Sequence, residues 1–365
     1  MQIVILGLSI TSSWGNGHAT TYRALVRELA RDGHEVLFLE RDVPWYASHR
    51  DLPSPPYCRT ELYGSLEELR RFESDVRQAD IAVIGSYVPQ GTAAAAWMLA
   101  TARGVTAFYD IDTPVTVAAL ARGACEYLEP ALVPRFDLYL SFTGGPMLRR
   151  LERQWGARRA RALYCSVDPR AYAPTGDEPD AELGYLGTYS ADRQPALERL
   201  LIEPARRWPV GRFTVAGPQY PEAVSWPANV ARIEHVAPPD HPAFYGRHRF
   251  ALNITRADMV AAGHSPSVRL FEAAACGVPV ISDAWPGLEE FFVPGREIAV
   301  AGNAGQVLEW LRATPERERQ ALARRARDKV LSAHTARQRA AEFLAYAAEA
   351  TSVPAARSAP AEVRP

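Results

Sequence analysis

The run Gln2-Ile-Val-Ile-Leu-Gly7 opens the chain, and its sequel decides the fold. An apolar stretch from Ile3 to Leu6, closed by glycine, reads as a parallel strand buried on both faces. A loop from Ser9 to Gly17 follows. Tyr22, Leu25, Val26 and Leu29 then recur at helical spacing until Gly33 stops the helix. Glu35 to Glu40 reads as a second strand. Strand, helix and strand at these lengths make a βαβ unit, which commits the chain to a parallel sheet with right-handed crossovers.

Working outward, the alternation continues. Ile81 to Gly85, Val105 to Asp110, Asp137 to Phe142 and Ala162 to Cys165 are expected strands, with helical patterns near 65–77, 90–102, 114–121 and 146–155. Pro44 to Pro56 reads as a long surface loop. Pro169, Pro174, Gly176 and Pro179 among acidic residues then break the pattern and mark a linker. Beyond it βα units restart. Leu183 to Gly187, Phe213 to Gly217, Ala231 to His235, Phe250 to Ile254, Val278 to Ser282 and Glu297 to Val300 are the expected strands. A core helix over Val268 to Cys276 is closed by Gly277 and Pro279. From Ala304 to about Ala350 the pattern is helical, and Thr351 to Pro365 is expected to be disordered. The predicted fold class is α/β: two tandem Rossmann-like, doubly wound parallel-sheet domains facing a cleft. Residues 1–166 and 182–332 form the domains, 167–181 the linker, and a helix over 333–350 packs back on the first domain.

Composition narrows the function. The 365 residues carry 41 basic and 42 acidic side chains, for a net charge of -1. That balance lacks the basic excess of a nucleic-acid-binding face. Lys329 is the only lysine, so a fixed cation at any site here is nearly always arginine. No apolar stretch approaches the ~18 residues of a membrane span. The N-terminus has no basic n-region, so no signal peptide is expected and the protein is placed in the cytoplasm. Cys58, Cys125, Cys165 and Cys276 form no CxxC pair, which points to reduced thiols without a zinc site.

Chemistry can sit in four places. In Ser12-Ser-Trp-Gly-Asn-Gly-His18, the glycines allow close backbone approach at a helix start. Trp14, Gly15, Asn16 and Gly17 are candidate cleft-loop residues, and a neutral His18 can serve as general base. Glu40 ends the second strand as the ribose-binding acid of an NAD site would, but the third glycine of that fingerprint is missing. Asp110-Ile-Asp112-Thr-Pro114 closes a strand. Asp110 there can orient His18 or a sugar hydroxyl. Asp112 either borders the cleft or caps the helix that Pro114 opens. A metal chelate through the two carboxylates ranks below a metal-free site. Gly187-Thr-Tyr189-Ser190-Ala-Asp-Arg193 repeats the strand–loop–helix device, with Arg193 able to fork onto a phosphate. The strongest segment is Gly263-His-Ser265-Pro-Ser267-Val-Arg269-Leu-Phe-Glu272. It sets serines, an arginine and a carboxylate at a helix start, where N–H groups meet phosphate oxygens and a carboxylate can accept from a ribose diol.

Those last residues, with Ala273-Ala-Ala-Cys-Gly-Val-Pro-Val-Ile-Ser-Asp283, Trp285-Pro-Gly-Leu-Glu-Glu-Phe-Phe292 and Pro294-Gly-Arg-Glu297, resemble the donor-binding half of GT-B glycosyltransferases. The resemblance is to the CgeB group, named for a spore-maturation protein. Gly33-His-Glu-Val36, Glu40-Arg-Asp-Val-Pro-Trp-Tyr46 and the Asp110 segment agree with it in the first half. It implies a nucleotide-diphospho-sugar donor on the second domain, a UDP-sugar ahead of a GDP-sugar, and an acceptor (small molecule, glycan or protein) on the first. Glu272 then holds the donor ribose. Arg193, Arg269 and Ser267, with Gly187, Tyr189, Ser190 and Ser265 around them, meet the diphosphate, and His235 and Val236 border the base. No cofactor is required. One departure stands out. Relatives of the glycogen-synthase type often carry a second glutamate with seven residues between it and the ribose glutamate, and at that position this chain has His264. That leaves the stereochemical course open. An epimerase using the same donor site, or a non-catalytic coat or assembly protein, are the alternatives.

Overall fold

The strand ends meet at a groove between two sheets. In a computed structural model, described for residues 1–15 and 17–352, both sheets are parallel throughout. The first holds seven strands: β1 (Gln2–Gly7), β2 (Glu35–Arg41), β3 (Arg59–Tyr63), β4 (Ile81–Gly85), β5 (Val105–Asp110), β6 (Leu138–Ser141) and β7 (Ala160–Ala162), in the order β3-β2-β1-β4-β5-β6-β7. The second holds β8 (Ala181–Leu186), β9 (Phe213–Ala216), β10 (Val230–Ile233), β11 (His248–Asn253), β12 (Val280–Ser282) and β13 (Ala299–Val300), in the order β10-β9-β8-β11-β12-β13. The fold is the GT-B type: two Rossmann-like domains with helices on the sheet faces.

Central strands are apolar on both faces because helices cover both sides, so β1 is buried from Ile3 to Gly7 and β4 along its whole length. The helix His18–Arg31 turns Tyr22, Leu25, Val26 and Leu29 onto the sheet and ends before Gly33, whose φ of 82° suits glycine. The helix Val268–Ala275 is buried at every position except Val268, and Phe271 stacks on the His334 ring at 4.6 Å between centroids. Truncating a buried phenylalanine of this kind costs about 3–5 kcal/mol.

The chain returns to its first domain at the end. Val167 N–H donates to the His334 carbonyl at 3.1 Å, and Ala336 N–H to the Val167 carbonyl at 2.9 Å. The helix Ala336–Ser352 then lies along the first sheet's last strands. Tyr346 Oη donates to the Ala162 carbonyl at 3.2 Å, and Glu349 pairs with Arg161.

Several expectations need correcting. The strand expected at Ala162 to Cys165 ends at Ala162, because β7 is an edge strand paired only with β6. Arg59–Tyr63 is a strand that the sequence reading missed: it lies at the other edge, half exposed, with charged residues among its apolar ones. The Pro44 to Pro56 loop contains one helical turn, Pro44–Ala47. The helix expected over 65–77 is broken into Leu66–Leu69, a 3-10 turn Arg70–Phe72 and Glu73–Gln78. Thr351 and Ser352 continue the last helix, and the rest of the expected tail lies outside the described residues.

Candidate functional site

Each sheet has one place where its strand order reverses: between β1 and β4 in the first, between β8 and β11 in the second. Crossovers leave in opposite directions there, so the loops beyond the carboxyl ends part and open a crevice. The four loops concerned contribute Leu8, Ser13, Gly15 and Gly17 after β1, Tyr87 after β4, Gly187, Thr188 and Arg193 after β8, and Ile254, Thr255 and Arg256 after β11. They enclose one cavity of about 600 Å³ between the domains. That size suits a small-molecule substrate.

On the wall from the second domain, Arg269 is 8% exposed and held from three sides. Its Nε donates to the Leu186 carbonyl at 2.6 Å, its Nη1 to Asn253 Oδ1 at 2.9 Å and Ser267 Oγ at 3.3 Å, and its guanidinium lies 4.8 Å over the Tyr185 ring. Glu272, one helical turn on, is 4% exposed. Tyr245 Oη donates to its Oε2 at 3.1 Å, and His241 Nδ1 stands 3.9 Å from the same oxygen. Arg193 donates from Nη2 to the Thr188 carbonyl at 2.8 Å, while its buried Nε has no hydrogen-bond partner. Ser265 is tied across the domains to Thr143 Oγ1 at 2.9 Å. Gly187, His235, Val236, Ser265, Ser267, Arg269 and Glu272 all line the cavity. Tyr189 and Ser190 do not: Tyr189 packs edge-on to Tyr220, and Ser190 bonds Asp192.

The opposing wall is arranged otherwise. His18 is 8% exposed and lines the cavity, with Nδ1 unpartnered among the described residues. Burial lowers its pKa below the ordinary 6.5, partly offset by the Asp112 carboxylate. Its ring meets Tyr87 edge-on at 5.5 Å, and Tyr87 Oη donates to Asp112 Oδ2 at 3.2 Å. Tyr87 sits at φ 64°, a conformation that β-carbons resist, so the sheet-end turn holds it there. Asp112 occupies the N-cap position of the helix Thr113–Ala121 yet makes no side-chain cap, so the capping alternative falls away.

Asp110 lies beneath this wall instead of in it. It is fully buried and does not line the cavity. It accepts from Tyr139 Oη at 2.5 Å, Thr116 Oγ1 at 2.7 Å and Asp112 N–H at 3.3 Å. Desolvation pushes its pKa up to about 6. With its oxygens so occupied it neither faces His18 nor shares a chelate with Asp112. Glu40 is likewise spent on structure: it accepts from Ile10 N–H, Thr11 N–H, Thr11 Oγ1 and Ser9 Oγ, pinning the loop after β1. Trp14 stacks on His49 at 4.5 Å outside the cavity lining, and Asn16 lies outside the described residues.

His264 also proves structural. It takes φ 50°, and its ring sits against Gly145 and Gly287, where added β-carbons would fall 2.5 and 2.4 Å from it. Its Nδ1 is 2.9 Å from Glu290 Oε1, and it does not line the cavity. Cavity residues that escaped the sequence reading include Tyr87 and Arg256, and His241 and Tyr245 beside Glu272. For Tyr87 and Arg256 the signal was positional, since each follows a strand flanking an order reversal, and strand order is not written in a sequence.

Comparisons agree with this architecture. Residues 193–345 match the family model described as Glycosyl transferase-like. No curated protein matches the sequence. Among solved structures, sucrose-phosphate synthase from Thermosynechococcus elongatus aligns at 15% identity and a TM-score of 0.68, covering 96% of this chain and 100% of that one. Anabaena Alr3699/HepE in complex with UDP and glucose aligns at 15% identity and 0.69, over 97% and 100%. An alpha-glucosyltransferase in complex with UDP aligns at 12% identity and 0.70, over 95% and 99%. At such identities the likeness is one of fold. Among the described residues no helix is long and apolar enough to cross a membrane.

Proposed function

We propose that the protein is a glycosyltransferase that moves a sugar from a nucleotide-diphospho-sugar, a UDP-sugar first, to an acceptor hydroxyl in the interdomain cleft. Within that class we place it in the CgeB-like group. Residues 1–166 form the acceptor domain and 182–332 the donor domain. Residues 167–181 are the linker, and the helix over 333–350 packs back on the first domain.

The observation that carries this reading is the pairing of two unlike walls across one cavity. Glu272 receives the ribose diol on the oxygen that Tyr245 and His241 leave open. Arg193, Arg269 and the leading N–H groups of the helix Val268–Ala275 take the diphosphate, with His235 and Val236 beside the base. In the transfer, His18 accepts the acceptor's hydroxyl proton on Nδ1, the freed oxygen bonds to the anomeric carbon, and the bond from that carbon to the diphosphate breaks. The electron pair leaves with the diphosphate, whose growing charge is met by arginines and helix amides without a metal. Asp112, beside His18, takes the part first given to Asp110 and stabilises the imidazolium that forms. His264, packed away from the cavity, supports this inverting course over one that needs a second acid at the donor sugar.

The test is turnover on a panel of UDP- and GDP-sugars, reading released nucleoside diphosphate with and without EDTA. Release that persists in EDTA is expected. Absence of binding and turnover across the panel sinks the reading, loss of turnover in EDTA sinks its metal-free form, and isomerised donor without transfer favours an epimerase.

A further inference from the structure

Arg256 stands in the loop after β11, between two carboxylates that belong to different domains. Its Nη1 is 3.7 Å from Asp112 Oδ2 on the first domain, and its Nε is 3.7 Å from Asp192 Oδ2 on the second. Neither contact is a hydrogen bond, and the buried Nε has no hydrogen-bond partner among the described residues. Arg269, thirteen residues further on in the same cavity lining, is by contrast bonded through two of its nitrogens. A guanidinium with five donors that uses so few of them, in a cavity that opens to solvent, is poised for another acceptor.

Asp192 brings Arg256 next to the diphosphate side. It precedes Arg193, caps the N–H of Ala257 at 3.1 Å, and has its pKa lowered by burial-opposing contacts with Ser190, Ala257, Arg256 and Arg193. Asp112 brings it next to the acceptor side, where Tyr87 Oη addresses the same Oδ2 that Arg256 faces.

We propose that Arg256 is a donor-operated latch: the pyrophosphate of the nucleotide draws its guanidinium from Asp112, so that donor binding releases the carboxylate beside His18. This rests on the glycosyltransferase reading and adds a coupling to it. With Arg256 on Asp112, that carboxylate is neutralised and supports the His18 imidazolium poorly. With Arg256 on phosphate, it supports it fully. The base is therefore strongest when a donor is present.

The coupling predicts effects of opposite sign on opposite walls. UDP and uridine, titrated calorimetrically, serve as probes with and without phosphates. Arg256→Gln is expected to weaken UDP binding roughly tenfold or more, the loss of a charge-assisted contact to phosphate, with uridine binding unchanged. Asp112→Asn is expected to tighten UDP binding roughly two- to fivefold, the size of a half-exposed ion pair no longer competing for the arginine. Removing any carboxylate near an anion helps somewhat, so the double variant decides: the Asp112→Asn gain must vanish in the Arg256→Gln background. A gain that persists there overturns the latch, as does unchanged UDP affinity in Arg256→Gln while the wild type binds UDP. Either leaves the donor site standing. Failure of the wild type to bind UDP or GDP at all overturns both.

Discussion

The two walls of the cleft are built on the same strand–loop–helix plan and behave differently. On the wall proposed for the donor, Arg269 and Glu272 are buried and tied to their own domain through Leu186, Asn253, Ser267 and Tyr245. On the wall proposed for the acceptor, His18 keeps a nitrogen unpartnered among the described residues, and Asp112 holds Tyr87 and a loose Arg256. A fixed ligand can be met by groups set in advance, at no ordering cost on binding. A wall that must take and give a proton needs a group with a free lone pair.

The comparison can be broken most sharply at His18. His18→Ala is expected to lower kcat by about 10²–10⁴-fold, the ordinary worth of a general base, with little change in donor affinity. Because burial lowers its pKa, the neutral, basic form persists to lower pH than in a free histidine. The acid limb of kcat/KM should then lie below pH 6.5. A limb above that value, or full activity in the variant, removes His18 from catalysis.

On the other wall, Glu272→Ala should weaken UDP binding by roughly 10–100-fold through loss of charged hydrogen bonds. Glu272→Gln, which keeps the volume beside Tyr245, separates that loss from misfolding. Unchanged affinity in both variants excludes Glu272 from the site.

Two glycines sharpen the contrast at smaller scale. A β-carbon on Gly187 would fall 2.8 Å from Tyr185 Oη and 2.9 Å from Arg269 Nη2, whereas one on Gly17 meets nothing within 4 Å. Gly187→Ala should therefore shift the pinned arginine and cost UDP affinity about fivefold or more, in line with the usual cost of overpacking. Gly17→Ala should change it less than about twofold, since its φ of -85° suits alanine. Equal effects of the two in a calorimetric titration would dissolve the distinction between the walls.

The smallest effect concerns Asp110. Its pKa of about 6 exceeds the unfolded value of 3.8, so between these the folded state holds the proton more tightly. Stability from this group is thus greatest at low pH and declines as pH rises from about 4 to 6. Asparagine does not titrate. The melting-temperature advantage of the wild type over Asp110→Asn should shrink by on the order of a few degrees from pH 4 to 7. An advantage that stays constant with pH would contradict the raised pKa.

Much of this was legible in the chain. Apolar runs closed by glycine marked β1 and β4, and apolar runs closed by Asp110 and Asn253 marked β5 and β11, because a strand buried on both faces keeps its polar residues to its ends. Edge strands such as Arg59–Tyr63 and Ala160–Ala162 escaped or slipped, since one free side lets charged residues in and blurs the pattern. The segment from Ser265 to Glu272 announced itself by placing serines, an arginine and an acid at one helix start.

Sequence alone determined the class of the central strands and of the helix that begins at Val268, and the break between two βα series, and it suggested which residues could meet an anion or a diol. It ranked Asp110 ahead of Asp112, two residues apart on one turn, and could not foresee which of them the packing would consume. Only the packing of Tyr139 and Thr116 against Asp110 consumed that carboxylate and left Asp112 to the cleft. Nor could it choose Tyr87 and Arg256, because strand order is set by crossovers between segments far apart in the chain. Local pattern fixes what a residue can do; the reversal of strand order decides which residues face each other to do it.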